Sequence, residues 1–241
     1  MTDGDRTARI AVAFAREALR APAGQLCRAC VELLAVSGAG ITLMAGRRAG
    51  PICVSSSRVR LLEDIQFTAG EGPCRDAYDS RMSVHSPVLD EVAFGKWPAF
   101  AELARDCGIR GVFAYPMQRD GAKVGVITLY QEVAGDLTES QHEDSLAVAD
   151  LLSRTVLSVQ EDARPGELGA GLADAVEYRA EIYQASGMLS VELQIPVADA
   201  LVRLRAYAFA HDRSLAEVAT EIVTRRLRLD DDRRRFLGGE R

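Results

Sequence analysis

Two apolar runs, Gly111-Val-Phe-Ala-Tyr-Pro-Met-Gln118 and Ala122-Lys-Val-Gly-Val-Ile-Thr-Leu-Tyr130, are separated only by Arg119-Asp120-Gly121. Asp-Gly between apolar runs is a strong hairpin signal, because the tight turns that match strand twist need positive φ at their central residues. The chain must therefore contain an antiparallel pair here. A second pair is expected upstream, where Gly38–Gly46 and Pro51–Ser55 are short apolar runs flanked by glycine. Between the two pairs lie helical or irregular segments and a short strand at Met82–His85. Helices and short antiparallel strands in this order predict an α+β domain, with helices packed on a central antiparallel sheet.

The flanks change period. Residues 6–36 carry alanine, leucine and valine at helical spacing, interrupted by Pro22 and Gly24, and read as one or two helices. Thr138 followed by Gln141 forms a capping box that opens a long helix over 138–163. Its apolar positions Ala149, Leu152, Val156, Val159 and Ala163 recur at spacings of three and four, which suits either a coiled-coil seam or a helix packed on its own sheet. Arg164-Pro165-Gly166 ends that helix, and 164–171 is the expected linker. Three helices follow. The first carries Ala175, Tyr178, Ile182, Ala185 and Leu189 on one face. The second starts at Pro196 and buries Val197, Leu201, Leu204 and Ala208. The third is capped by Ser214 with Glu217 and presents Leu215, Val218, Ala219 and Ile222. So small a three-helix core favours dimerisation. The expected division is an N-terminal helical segment at 1–21, a first domain at 22–163, the linker, a helical domain at 172–229 and a charged tail at 230–241.

Composition narrows the classes. A chain of 241 residues with 48% hydrophobic content has room for one ordinary core and a smaller second one. It has no apolar run of about 18 residues to span a bilayer, and the opening MTDGDRTARIAVAF mixes acids and arginines where a secretory signal needs an apolar block, so a cytoplasmic protein without membrane association is expected. Five cysteines, an odd number, do not read as a disulfide framework, and reduced thiols are expected. A net charge of −6 argues against bulk electrostatic binding to DNA, and no recognition helix with a basic stripe is visible.

Three segments in order carry a specific resemblance: Tyr183-Gln-Ala-Ser-Gly-Met-Leu189, Ala200-Leu-Val-Arg-Leu-Arg-Ala-Tyr-Ala208, and Leu215-x-x-Val218-Ala219-x-x-Ile222-Val223. Together they resemble the ANTAR domain, the RNA-binding module of transcription antitermination regulators. The resemblance implies a homodimer that binds paired hairpin loops in nascent mRNA and prevents a terminator from forming. It assigns RNA contact to Gln184, Ala185, Ser186 and Gly187 on the first helix and to Arg203, Arg205 and Tyr207 on the second. Guanidinium and phenol groups at the edge of an apolar face suit phosphates and splayed bases, and Arg225, Arg226 and Arg228 offer further phosphate contacts. Ser186 stands where the family usually has lysine. From Asp174 to Leu229 there are eight acidic and seven basic residues, so no basic field surrounds these positions.

The first domain resembles a GAF domain, a small-molecule sensor, over about 22–163, on the segment Ala69-Gly-Glu-Gly-Pro-Cys-Arg-Asp-Ala-Tyr78, the Gly111–Tyr130 hairpin and the exit helix. An acidic pair expected of a phosphoryl receiver does not follow Ile41-Thr-Leu-Met44, so a ligand or redox input is expected rather than phosphotransfer. Two residues are candidates for sensing. Cys74, just after Pro73, falls in a helical first turn, where the macrodipole lowers a thiol pKa and backbone N–H groups can hold an anion; a buried residue lining an ordinary pocket is the alternative. His85 follows a short strand, as a haem ligand does in a few such sensors. Cys27-x-x-Cys30 has no second pair to complete a zinc site and is expected to pack in the core. No cofactor or metal is expected, and an unidentified small molecule is the expected ligand. The exit helix would pass the signal on by altering pairing between protomers. Two other functions remain open: a sensor whose C-terminal helices dimerise or bind protein without RNA, and a GAF-type thiol reductase using Cys74 and Cys107. Neither the main reading nor the first alternative is enzymatic.

Overall fold

The computed structural model describes residues 23–45, 48–161, 180–211, 213 and 215–229. The chain divides into two compact units, Met1–Glu177 and Tyr178–Arg241. The expected N-terminal segment, the linker and the charged tail lie outside the described residues.

The first unit is built on five antiparallel strands in the order β2-β1-β5-β4-β3: β1 (Gly38–Ala45), β2 (Arg48–Val54), β3 (Val84–Ser86), β4 (Gly111–Arg119) and β5 (Ala122–Gln131). The central hairpin forms where the Asp-Gly signal places it, with Arg119 paired to Ala122. Asp120 and Gly121 have φ of 50° and 82°, the two positive values that a type I′ turn demands. The upstream hairpin also forms, and β1 joins the two by pairing with β5.

Alternation along the strands sends side chains to two faces. Phe113, Tyr115, Met117, Ile127 and Leu129 form one buried core with two helices, α1 (Ala23–Leu34) and α6 (Glu139–Glu161). The capping box that opens α6 is reciprocal: the Gln141 N–H donates to Thr138 Oγ1 at 3.2 Å, and the Thr138 N–H donates to Gln141 Oε1 at 3.0 Å. The Gln141 amide also donates to the Leu34 carbonyl at 2.9 Å, tying the start of α6 to the end of α1. On the opposite face lie α2 (Ser57–Ala69), α3 (Pro73–Ser80), α4 (Glu91–Lys96) and α5 (Pro98–Asp106).

Two expectations change. Ala149, Leu152 and Val156 are buried against the sheet and α1, so this part of the three-and-four stripe packs within its own domain and is not a coiled-coil seam. A helix resting on a sheet needs the same spacing as a helix pairing with another, and each fully buried leucine there contributes about 1.5–3 kcal/mol. Ala163 lies outside the described residues. The expectation of reduced thiols is also overturned: Cys27 and Cys53 form a disulfide with Cα atoms 5.9 Å apart. The reason is packing. Both residues belong to the same core, where α1 crosses β1 and β2. Cys30 is a buried core thiol, as its apolar helical setting implies.

The second unit comprises α7 (Ala180–Leu193), α8 (Val197–Ala210) and α9 (Leu215–Val223). Each helix contacts the other two. Their shared core is Ile182, Ala185 and Leu189 with Ala200, Leu204, Ala208, Leu215, Val218, Ala219 and Ile222. Val197 and Leu201 are half-buried, and Ala200 takes the inward position instead. Pro196 sits at the start of α8, its carbonyl accepting from the Ala200 N–H at 3.0 Å. Ala175, Tyr178 and the cap Ser214 fall outside what is described of these helices.

Reducing the Cys27–Cys53 bond, or replacing Cys53 with alanine, frees a 26-residue separation in the unfolded chain. The urea midpoint of the first unit then falls by the equivalent of about 3 kcal/mol. An unchanged midpoint under strong reductant shows that the bond contributes nothing to the fold.

Candidate sensor core and nucleic-acid interface

On the α2–α3 side of the sheet, polar groups occupy positions where apolar side chains would normally close a core. Val59, Leu62, Glu63 and Gln66 share the buried face of α2. Glu63 is only 3% exposed, and both its carboxylate oxygens accept hydrogen bonds: Oε2 from Thr42 Oγ1 at 2.6 Å and Oε1 from the Tyr130 hydroxyl at 2.7 Å. The Gln66 amide donates to the same Tyr130 oxygen at 3.1 Å. A Cβ on Gly40 would lie 2.6 Å from Glu63 Oε1, so β1 needs a glycine there to let the carboxylate reach its partners. Thr128 precedes Tyr130 by two residues on the same face, and its buried hydroxyl has no hydrogen-bond partner among the described residues.

Cys74 borders this network. It opens the first turn of α3 after Pro73, as the sequence implies, but its thiol is buried. Its N–H donates to Gln66 Oε1 at 2.8 Å, which leaves that donor unavailable to an anion. The neighbouring acids have structural work. Glu71 Oε1 accepts from the Ala99 and Phe100 N–H groups at 2.7 and 3.2 Å and caps α5, and Asp76 binds Trp97 Nε1 at 3.0 Å and Lys96 Nζ at 2.8 Å.

His85 lies on the other side. It pairs with Phe113 across β3 and β4, so its ring joins Phe113, Tyr115 and His142 of α6 with centroids 5.2–5.5 Å apart. Tyr115 Oη and His142 Nδ1 are 3.0 Å apart. Partial burial, and then the adjacent His142, hold the His85 imidazole below its ordinary pKa, with Asp136 opposing. The two sensing candidates therefore do not share a site, because the sheet separates them. Cys74 and Cys107 also fall in separate apolar clusters, the first with Ala77, Ala114 and Val126 and the second beside Trp97 and Phe100. The pairing that a thiol reductase requires is not supplied.

In the three-helix unit the candidate RNA residues divide three ways. Ala185 and Ser186 are fully enclosed, and the Ser186 hydroxyl donates to the Ile182 carbonyl at 2.8 Å. Gln184 is exposed and Gly187 half-buried, and both line a groove shared with Arg225 and Arg228. Arg203, exposed, and Arg205 and Tyr207, both half-buried, sit on α8. Tyr207 stacks on His211 with ring centroids 3.9 Å apart.

The buried polar network was not anticipated from the sequence. Its signal was available in the Val59-x-x-Leu62-Glu63-x-x-Gln66 spacing, which puts an acid and an amide on the apolar stripe of α2.

Comparison with known proteins supports both halves. The first unit has the fold of the GAF domain of a phosphoenolpyruvate-protein phosphotransferase from Coxiella burnetii, with 13% identity and a TM-score of 0.51, covering 66% of this chain and 98% of that one. The corresponding GAF domain from Acinetobacter gives 11% identity and a TM-score of 0.52, covering 68% and 99%. Residues 170–223 match the ANTAR domain model. A search of curated proteins finds no sequence match. The chain has a GAF plus ANTAR architecture: an α+β domain followed by a small all-helical one. Among the described residues, no helix is long and apolar enough to cross a membrane.

The buried acids generate a pH prediction. Burial, followed by the Glu63 charge and its hydrogen bond, pushes the Tyr130 phenol well above its ordinary 10.0. Burial raises Tyr115 to about 12 and the Cys30 thiol from 9.0 to about 12. All three stay neutral in the fold while the unfolded chain ionises, so their stabilisation is complete below the unfolded values and is lost as pH rises past them. The urea midpoint falls from about pH 9 upward, and Tyr130→Phe makes that fall shallower while costing about 1–3 kcal/mol at pH 8 through loss of the phenol donor to Glu63 Oε1. A flat profile between pH 8 and 11 contradicts the assignment.

Proposed function

We propose that this chain is a signal-responsive transcription antitermination regulator, working in the cytoplasm as a non-enzymatic homodimer. Its ANTAR domain binds hairpin loops in nascent mRNA, and its GAF domain supplies the input. The observation that carries the reading is the ANTAR match over 170–223, supported by three helices closing on the small core that the match requires.

RNA contact is drawn from residues that reach the surface. Gln184 and Gly187 on α7 and Arg203, Arg205 and Tyr207 on α8 fill that role, while Ala185 and Ser186 set the helix packing beneath them. Arginine pairs with phosphate, and both arginine and tyrosine stack on unpaired bases. With acidic and basic residues nearly balanced, affinity comes from a few placed contacts rather than a broad positive field.

The input is an unidentified small molecule or a change of redox state, and no metal or cofactor is invoked. Among the described residues, the Glu63–Tyr130–Gln66 network beside Cys74 is a buried polar cluster of the sensor for a ligand to engage. His85 and His142 provide a separate contact to α6, the helix that leaves the domain.

The test is binding of the full chain to double-hairpin RNA and to a scrambled control across a salt series. Wild type is expected to discriminate the two. Arg203→Ala lowers the slope of log affinity on log salt by about one without altering helicity. Equal affinity for both RNAs sinks the RNA reading and leaves a dimerisation or protein-binding module as the surviving function.

A further inference from the structure

Helix α7 carries two stripes. Ile182, Ala185, Ser186 and Leu189 face the core, while Gln184, Gly187, Met188 and Val191 repeat the same spacing roughly 180° away, at about 100° per residue. Those four residues line a groove of about 580 Å³ together with Ile222, Leu227 and two arginines that follow α9, Arg225 and Arg228. Val191 is 80% exposed.

Two residues in this groove are conformationally unfavourable choices. Glycine inside a helix is destabilising relative to alanine, and a Cβ at Gly187 would meet nothing within 4 Å. No packing among the described residues selects glycine there, so the bare backbone leaves an open face on the groove. Arg225 closes α9 in the left-handed conformation, with φ of 58°. Its N–H donates to the Ile222 carbonyl at 3.0 Å, and the Arg226 N–H donates to the Glu221 carbonyl at 2.7 Å. This is the closing position that favours glycine. Arg81 and Gln194 adopt similar conformations at other helix ends, so Arg225 stands out by where its side chain lies, on the groove.

We propose that this groove seats one unpaired nucleotide of the hairpin RNA, its base lying over Gly187 and Met188 and its phosphate held by Arg225 and Arg228. The inference rests on the RNA reading above. A base presents a flat face that needs an approach free of side chains, an edge of donors and acceptors that suits the Gln184 amide, and a phosphate that guanidinium binds in a fork. Charge agrees. Against the two arginines the groove has one acid, Glu192, which lies 3.8 Å from Arg228, and the Arg228 side chain remains 71% exposed. Among the described residues Arg225 has no ion pair. An apolar helix from a second copy would use the Met188–Val191 surface but has no need of two arginines.

The test uses two substitutions that the fold itself should accept. Gly187→Ala replaces glycine with a better helix former in open space, and Arg225→Gly relieves a left-handed residue, so the full chain's melting temperature is unchanged or slightly raised in both. Gly187→Ala is expected to weaken double-hairpin RNA binding by about tenfold or more. Arg225→Gly lowers the salt slope by about one. Wild-type affinity and slope in both variants overturn the groove assignment while the RNA reading stands, provided that wild type still prefers hairpin RNA to scrambled RNA. Failure of wild type to show that preference removes both. A lower melting temperature in Gly187→Ala makes the glycine structural and overturns the proposal. Loss of self-association by sedimentation, with RNA binding intact, assigns the groove to a second copy and overturns it equally.

Discussion

The first unit is organised around a carboxylate taken out of water. Removing Glu63 from solvent is costly unless its oxygens find donors, and the donors come from two different strands: Thr42 on β1 and Tyr130 on β5. One side chain from α2 thereby ties that helix to two strands of the sheet. The demand spreads outward. Gly40 leaves space beneath the carboxylate, Gln66 holds the other side of the phenol, and Gly72 is required where a Cβ would fall 2.5 Å from Gln66. The Gln66 amide then fixes the entry to α3 through the Cys74 N–H. A buried polar network of this kind specifies one arrangement more than it adds stability.

Local rules were enough to read much of this architecture. Asp120-Gly121 states its turn because only a few residues tolerate two positive φ values in succession, and Thr138 with Gln141 states a helix start because both of its hydrogen bonds are local. What stayed hidden depends on which surface a pattern faces. Ala149, Leu152 and Val156 have the same spacing whether the covering surface is a sheet or another helix, and only the fold decides. The Cys27–Cys53 bond was equally hidden, since counting cysteines says nothing about a helix crossing a strand. Glu63 and Gln66 were overlooked because an acid and an amide within a helix are expected to face solvent.

The helical unit shows the same principle in a candidate site. Seven residues follow from the ANTAR resemblance, but Ser186 is enclosed, and its hydroxyl is satisfied within its own helix. A lysine at this position would have to carry its ammonium out past α8 or α9 to reach solvent. Serine removes that charge without leaving a buried group unpaired. Ala185 and Ser186 thus form part of the packing seam, while Gln184 and Gly187 beside them line the groove.

Cys74 and His85 lie on opposite sides of one sheet, which acts as a partition one residue thick. Tyr130 and Leu129 are adjacent in β5, yet one touches the buried carboxylate network and the other belongs to the core beneath α6. Among the described residues the two apolar clusters are separate, but they share the peptide units of the strands between them. Any movement of the β5 backbone at Tyr130 is therefore felt at Leu129 on the opposite face. β5 thus joins the polar core and the core beneath α6 through adjacent residues, Tyr130 and Leu129.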